Sequence, residues 1–221
     1  VDPEEIRTLA SQRVIPAKAG IHSFMQAEKT VKQAGAYMRL FIGIPIPEEY
    51  VMTIGEVQSA WKRRLASKVS WVRPGLVHLT LRFLGETDEA RVGAIVDAMR
   101  GAAGGSFVMQ SGAGGFFPQR GAPRVVWVGF TKGIRECGAY FAALDAGLVR
   151  AGFDAETRPF AAHVTVARVR QAVRGDDWAG LAADLTRDWP PFTVDTAVLW
   201  QSILKSSGPE YRRVAEVALG A

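Results

Sequence analysis

The sequence predicts an α+β fold built on largely antiparallel sheet. Three observations lead there. Strand-like runs of alternating apolar residues recur between helix-like runs along residues 38–221. Several of these strands are joined by links too short for a parallel crossover. Two nearly identical strings, His78-Leu79-Thr80-Leu81 and His163-Val164-Thr165-Val166, fall at similar places in two halves of the chain.

The elements follow in order. Residues 38–44 read as a strand with Leu40, Ile42 and Ile44 on one face, punctuated by Pro45 and Pro47. Residues 48–66 read as an amphipathic helix, acidic early and with Lys62, Arg63 and Arg64 late, as the helix dipole favours. Residues 70–72 and 77–84 read as strands separated by the turn signal Pro74-Gly75. Thr87 is placed to N-cap a helix reaching Ala102. Residues 107–110 read as a short strand, and the glycine-rich 112–121 as a flexible connection. The second half repeats the rhythm. Residues 124–130 form a strand with Val126, Val128 and Phe130 on one side, and 134–151 a helix ended near Gly152. A strand follows over 163–169, a helix over 176–188, and strands over 192–204 and 211–219.

Residues 1–37 show weak periodicity and no domain-sized core, so the folded body is expected at 38–221. The stretch Val14-Ile15-Pro16-Ala17-Lys18-Ala19-Gly20-Ile21 resembles translated repeat elements of bacterial genomes, which suits a variable extension. The other reading is a short helix over 4–12 docked on the body. The segment lacks the apolar run of a secretory signal.

Composition excludes several classes. Of 221 residues, 48% are hydrophobic and 22% charged, enough to bury a core and too apolar for wholesale disorder. No window approaches eighteen uninterrupted apolar residues, so no membrane-spanning helix is expected. Cys137 is the one cysteine, which excludes an internal disulfide framework or a multi-cysteine metal site. A reducing, cytoplasmic setting fits. The net charge of +5 is a mild basic excess, with 20 Arg against 7 Lys. Arginine suits bidentate phosphate recognition, and a GC-rich genome would enrich it equally.

The chemistry lies in the two histidine strings. On a strand, residues i and i+2 share a face, so each string presents imidazole and hydroxyl on one side and two aliphatic anchors on the other. Thr is about one residue in twenty here, so its recurrence two places after two of only three histidines is about a one-in-a-hundred coincidence. Imidazoles titrate near neutrality, so one can act as base while the other acts as acid. Facing each other across a cleft, they suit in-line displacement at phosphorus, with threonine hydroxyls donating to non-bridging oxygens. No metal or other cofactor is called for. Two histidines without carboxylate or thiolate partners make a poor zinc set.

With these strings on the page, the sequence resembles the two-histidine phosphoesterase superfamily, in particular the RNA 2′,3′-cyclic phosphodiesterases once named 2′-5′ RNA ligases. The resemblance runs from Met38 almost to Ala221. It rests on Met38-Arg39-Leu40-Phe41-Ile42-Gly43-Ile44, Trp71-Val72-Arg73-Pro74, the first histidine string continued by Arg82-Phe83-Leu84-Gly85-Glu86, the second continued by Ala167-Arg168, and Leu199-Trp200-Gln201-Ser202 with Gly208 and Tyr211. It implies a bilobal α+β fold, two pseudo-symmetric lobes of mainly antiparallel sheet with flanking helices around a central cleft. It implies metal-independent hydrolysis of an RNA-terminal 2′,3′-cyclic phosphate to a 2′-phosphomonoester. His78 is then the proton donor and His163 the proton acceptor, although the two strings are too alike for the sequence itself to fix that direction. Thr80, Thr165 and Arg168 carry over as phosphate contacts. Expected partners are RNA ends or nucleotides bearing the cyclic phosphate, met by a monomer. Family members commonly have proline before the second histidine, where this chain has Ala162, and Gly75-Leu76-Val77 replaces a more polar turn before the first.

Strand parity raises one difficulty. Arg168 is five residues after His163, on the opposite face unless a bulge intervenes, whereas Arg82, four after His78, has the parity of a substrate contact. Phe160 reads as a base-stacking residue or a core aromatic. Phe83 has the parity of Leu79 and Leu81 and reads as core. Trp71, Trp127 and Trp200 read as packing residues, Cys137 as inert, and Ser202 either as a cleft hydrogen-bonder or as a backbone partner. The rival functions are a 2′-5′ RNA ligase or small cyclic-nucleotide phosphodiesterase of the same superfamily, and a non-catalytic RNA-end binder.

Overall fold

The computed structural model describes residues 36–220. Residues 1–35 of the expected extension, with the short helix read over 4–12 and His22, lie outside the described residues, while Tyr37 belongs to the first strand of the body. The elements are β1 (Tyr37–Pro45), α1 (Glu48–Trp61), β2 (Lys68–Trp71), β3 (His78–Asp88), α2 (Val92–Ala102), β4 (Phe107–Phe117), β5 (Val125–Lys132), α3 (Ile134–Arg150), β6 (His163–Gln171), α4 (Trp178–Leu185), β7 (Phe192–Val194), β8 (Thr196–Lys205) and β9 (Gly208–Ala218). Short 3₁₀ turns, Pro74–Leu76 and Glu89–Arg91, precede β3 and α2.

The strands form a curled antiparallel sheet in the order β7-β4-β5-β6-β3-β1-β8-β9, with β2 added on β6. β3 and β6, which open on the two histidines, are central neighbours. From that seam β1, β8 and β9 extend to one side, and β5, β4 and β7 to the other. The two lobes are not the two halves of the chain. The halves repeat as β1-α1-β3-α2-β4 and β5-α3-β6-α4-β8. Yet β4 pairs with β5, and β8 pairs with β1. The first half thus lends β4 to the second lobe, and the second half lends β8, with β9 beyond it, to the first.

The alternating apolar residues build the main core. Leu40, Ile42 and Ile44 of β1, Leu79 and Leu81 of β3, Val126 and Val128 of β5, and Val164 and Val166 of β6 are buried with Ile54, Ile95, Met99, Leu144, Leu148, Leu181 and Leu185 of the four helices. Phe41, Val198 and Trp200 form a separate small cluster with Tyr211 packed on it. Since Phe41 alternates with Leu40 and Ile42, this cluster marks the other, concave face of the sheet.

Several boundaries differ from the sequence reading. α1 stops at Trp61, so Lys62, Arg63 and Arg64 lie beyond its last turn. Thr87 is buried inside β3 and caps nothing; the Asp88 carboxylate instead accepts from the Ala90 amide at 3.0 Å. The run 192–204 breaks at Asp195 into β7, paired with β4, and β8, paired with β1 and β9. The largest difference is at 112–121. Residues up to Phe117 are strand, paired with β5 from Gln110 to Phe117.

Glycines that weaken a strand on propensity are required here by close approach. A Cβ on Gly114 would stand 2.4 Å from the Ala182 carbonyl oxygen and 2.6 Å from the Leu185 Cβ, so α4 packs directly on the β4 backbone. A Cβ on Gly115 would enter the Trp127 ring at 2.5 Å. Gly114→Ala is therefore expected to cost about 1–3 kcal/mol by overpacking, lowering the melting midpoint by roughly 3–10 °C. Gly138→Ala on α3, where an added Cβ meets nothing within 4 Å, is the matched control and is expected to stabilise slightly. Equal melting of the two variants in calorimetry would contradict the close packing.

Candidate active site

His78 is the first residue of β3 and His163 the first of β6. β3 and β6 meet in register at Leu79 and Val164. Opposed residues on antiparallel strands share a face and run in opposite senses. His78 therefore comes level with Thr165, and Thr80 with His163, about 5 Å apart at that crossing. The two imidazoles sit on one face, diagonal across the seam, their backbones on the order of 7–8 Å apart. Leu79 and Val164 are wholly buried on the other face.

Both rings are held in the same way. His78 Nδ1–H donates to the Leu76 carbonyl at 2.8 Å, and His163 Nδ1–H to the Ala161 carbonyl at 2.7 Å. A carbonyl only accepts, so each Nδ1 carries hydrogen and each Nε2 is left to exchange a proton. These acceptors are main-chain atoms two residues upstream. Ala162 in place of proline and the apolar turn before His78 thus remove no bonding partner. Thr80 Oγ1 lies 2.9 Å from His78 Nε2, donating to it while the ring is neutral.

Two β-bulges decide which neighbours join them. Along β6, Thr165 is opposite Trp127 but Ala167 is opposite Val126, so Val166 is an extra residue. Parity reverses there, and Arg168, opposite Val125, returns to the face of His163 and Thr165. Along β3, Thr80 is opposite Gly43 but Arg82 is opposite Ile42, so Leu81 is the extra residue. The same reversal moves Arg82 to the core face and Phe83, opposite Phe41, to the concave face. The fifth residue after each histidine is thus an inward-facing group: Phe83 in one lobe, Arg168 in the other.

Arg82 therefore departs from its expected place among the substrate contacts. Its Nε donates to Asp145 of α3 at 2.9 Å, its Nη1 lies 3.4 Å from Glu156, and its Nη2 donates to the Asp154 carbonyl. Asp145 also accepts from the Glu156 amide. Arg158, with Arg82 adding to it, holds the Glu156 carboxyl down at about 2. Arg82 thus ties the back of β3 to the segment that leads into His163. Phe83 also departs from its expected core position and is 52% exposed. Phe160 stacks flat on Phe141, with centroids 4.4 Å apart and planes at 10°, so one face of its ring is occupied by α3.

Burial, the largest cause, pulls both imidazoles below their ordinary value of 6.5. The Arg168 charge pushes each further down, and His163 adds to the effect on His78. The Nδ1 hydrogen bonds work in the opposite direction. Cys137 is buried in α3 and its thiol is pushed up to about 12, which leaves it inert.

Sequence reasoning missed the surroundings of the rings. Phe41, Tyr211 and Trp200 stand 4.8, 5.4 and 5.7 Å from the His78 centroid, and Phe117 stands edge-on to His163 at 5.2 Å. Trp200 therefore packs beside the His78 ring rather than in the main core. A cavity of about 360 Å³ opens next to His78 between Pro45, Trp200, Tyr211 and Arg213. Gln58 of α1 was also missed. It is buried and donates to the carbonyl of Val72 at 2.8 Å and of Val166, the bulged residue, at 3.1 Å. A polar residue on the buried face of an amphipathic helix was the signal available for it.

Comparison with known proteins bears on this arrangement. A family model described as LigT like phosphoesterase matches residues 44–127 and 130–211. An RNA 2′,3′-cyclic phosphodiesterase of Thermotoga maritima is 33% identical over 186 residues, covering 81% of this chain and 94% of that protein. One from Archaeoglobus fulgidus is 30% identical over 178 residues, covering 79% and 97%. Among solved structures, the protein TT0787 of Thermus thermophilus superposes with a TM-score of 0.67 at 26% identity, covering 82% of this chain and 98% of that one. E. coli LigT complexed with 3′-AMP gives 0.67 at 22% identity, covering 83% and 98%, and shares the fold. Among the described residues no helix is long and apolar enough to cross a membrane. With matched segments that span both histidine strings, the chain belongs to the LigT-like phosphoesterase family.

Proposed function

We propose that this protein hydrolyses the 2′,3′-cyclic phosphate at an RNA end to a 2′-phosphomonoester, using His78 and His163 as a proton-transfer pair. The observation that carries this reading is the shared tethering of the two rings. Two imidazoles on adjacent strands have Nδ1 fixed to a carbonyl, and both Nε2 atoms are available on one face. Similarity to the curated cyclic phosphodiesterases supports the substrate class.

In this reading His163 Nε2 takes a proton from water as its oxygen attacks phosphorus. The bond from phosphorus to the 3′ oxygen breaks, and that oxygen receives the proton from His78 Nε2. Thr80 and Thr165 hydroxyls donate to the non-bridging oxygens, and the Arg168 guanidinium offsets the charge that gathers on them. The Thr80 hydroxyl exchanges its His78 contact for a phosphate oxygen when substrate enters. Every proton is accounted for by the two rings, so the step calls for no metal. A soluble monomer acting on free RNA ends is part of the same reading.

The test is incubation with an oligonucleotide ending in a 2′,3′-cyclic phosphate, with and without EDTA, followed by assignment of the product phosphate by ³¹P NMR. A 2′-phosphomonoester formed at the same rate under both conditions is expected. A 3′-phosphate, a ligated product, or loss of turnover with chelator would each reject the mechanism. Tight binding without turnover would make the protein a reader of RNA ends.

A further inference from the structure

The lobe β3-β1-β8-β9 carries more on its concave face than proton transfer requires. Phe83 is 52% exposed, with its ring 6.0 Å from Phe41. Phe41 in turn contacts Tyr211 at 4.8 Å and stacks on Trp200 at 5.3 Å. Arg39 lies on this face two residues before Phe41. It is opposite Glu86 and, one step past the Leu40–Gln201 pair, level with Ser202, which is itself opposite Tyr211. Arg73 reaches from the turn before His78 to the Pro209 carbonyl on the β8–β9 hairpin. Burial raises the Tyr211 phenol above its ordinary value, and the charges of Arg168, Arg39 and Arg73 work against that rise. Among the described residues neither Arg39 nor Arg73 makes an ion pair, although Glu86 faces Arg39 across the strands. Arg213, also on this face, is paired with Glu216.

An exposed aromatic ring beside guanidinium groups that make no ion pair is the pattern that binds single-stranded nucleic acid: bases stack and backbone phosphates pair with the charges. The spacing fits a chain longer than one nucleotide. Gly43, opposite Thr80, is four residues from Arg39, about 13 Å of strand, and an arginine side chain shortens the gap to its phosphate.

We propose that this face is a subsite for the RNA strand upstream of the reacting end. Phe83 is the platform for a base, and Arg39 contacts the first phosphodiester 5′ of the terminal nucleoside. The inference rests on the cyclic phosphodiesterase reading above and adds to it a preference for chain ends over mononucleotides. A nucleoside 2′,3′-cyclic phosphate fills the reaction centre but has no upstream phosphate for Arg39 to meet.

Steady-state kinetics on a pentanucleotide ending in 2′,3′-cyclic phosphate and on adenosine 2′,3′-cyclic monophosphate test it. The wild type is expected to favour the pentanucleotide by about tenfold or more in kcat/KM. Arg39→Gln is expected to remove about tenfold of that, mainly through KM, while mononucleotide turnover stays within about twofold and Arg39→Lys keeps most of the preference. The salt dependence of the pentanucleotide KM is expected to fall by about one phosphate contact. Equal kcat/KM for the two substrates in the wild type, or an Arg39→Gln loss that is the same for both, overturns the subsite and leaves the function standing. A wild type that turns over neither substrate overturns both.

Discussion

His163→Ala is expected to lower turnover of a 2′,3′-cyclic phosphate by about a hundredfold or more while the protein remains folded. His163 is only half-buried, and its removal frees the Ala161 carbonyl, which stands at the surface and can take water instead. His78→Ala is expected to cost at least as much turnover. It also leaves a gap among Phe41, Trp200 and Tyr211, so its melting midpoint falls further. On the proposed mechanism the two rings serve one displacement, so the double variant is expected to lose little more than the worse single variant. Single-turnover rates with circular dichroism as the folding control decide this. Near-wild-type turnover in either folded variant would exclude proton transfer by the pair.

The pH profile follows from the direction in which the rings are shifted. Displacement needs one ring protonated and one neutral. Burial and Arg168 hold both below 6.5 in the free protein, so the singly protonated pair is most populated on the acid side of that value. The kcat/KM profile is thus expected to peak below pH 6.5 and to fall as pH rises. A bound phosphodiester brings a negative charge that favours protonation, so kcat is expected to peak at higher pH than kcat/KM. An alkaline optimum in kcat/KM would contradict the burial of the rings.

Much of this site was legible in the sequence, and the part that was not has a common cause. The H-x-T-x strings stated which side chains share a face because alternation holds from His78 to Leu81 and from His163 to Val166. Alternation fails at the next residue in both strands. A bulge is a backbone event at an ordinary aliphatic residue, Leu81 or Val166, and nothing in its side chain announces it. Hence Arg82 and Phe83 were read on exchanged faces, while Arg168 was placed inward only by resemblance. The glycine-rich β4 was missed for a related reason. Its glycines answer to α4 and Trp127, which are distant in sequence, so local propensity alone reads a loop. The exchange of β4 and β8 between lobes is likewise a matter of partner choice that periodicity does not encode.

The two bulges make opposite predictions for two arginines that alternation would treat the other way round. Arg168 is exposed on the face of the histidines and makes no ion pair among the described residues. Arg168→Met is therefore expected to leave the melting midpoint nearly unchanged and to lower kcat by about a hundredfold, the usual effect of removing one preorganised donor from developing charge. Since the Arg168 charge depresses both imidazoles, its removal is also expected to move the kcat/KM optimum toward higher pH. A loss of packing would not produce that shift. Arg82 is the reverse case. Its side chain is 10% exposed and tied to Asp145 and Glu156, 18% and 14% exposed. Arg82→Met leaves the largely enclosed Asp145 carboxylate without its cation, while Glu156 keeps Arg158, at a cost of about 1–3 kcal/mol. It is expected to lower the melting midpoint while kcat stays within a few-fold and the pH optimum stays in place. If Arg82→Met instead removed turnover in a fully stable protein, and Arg168→Met melted early with normal kcat, strand alternation would run unbroken through Leu81 and Val166. The inward-facing position would then belong to Arg82.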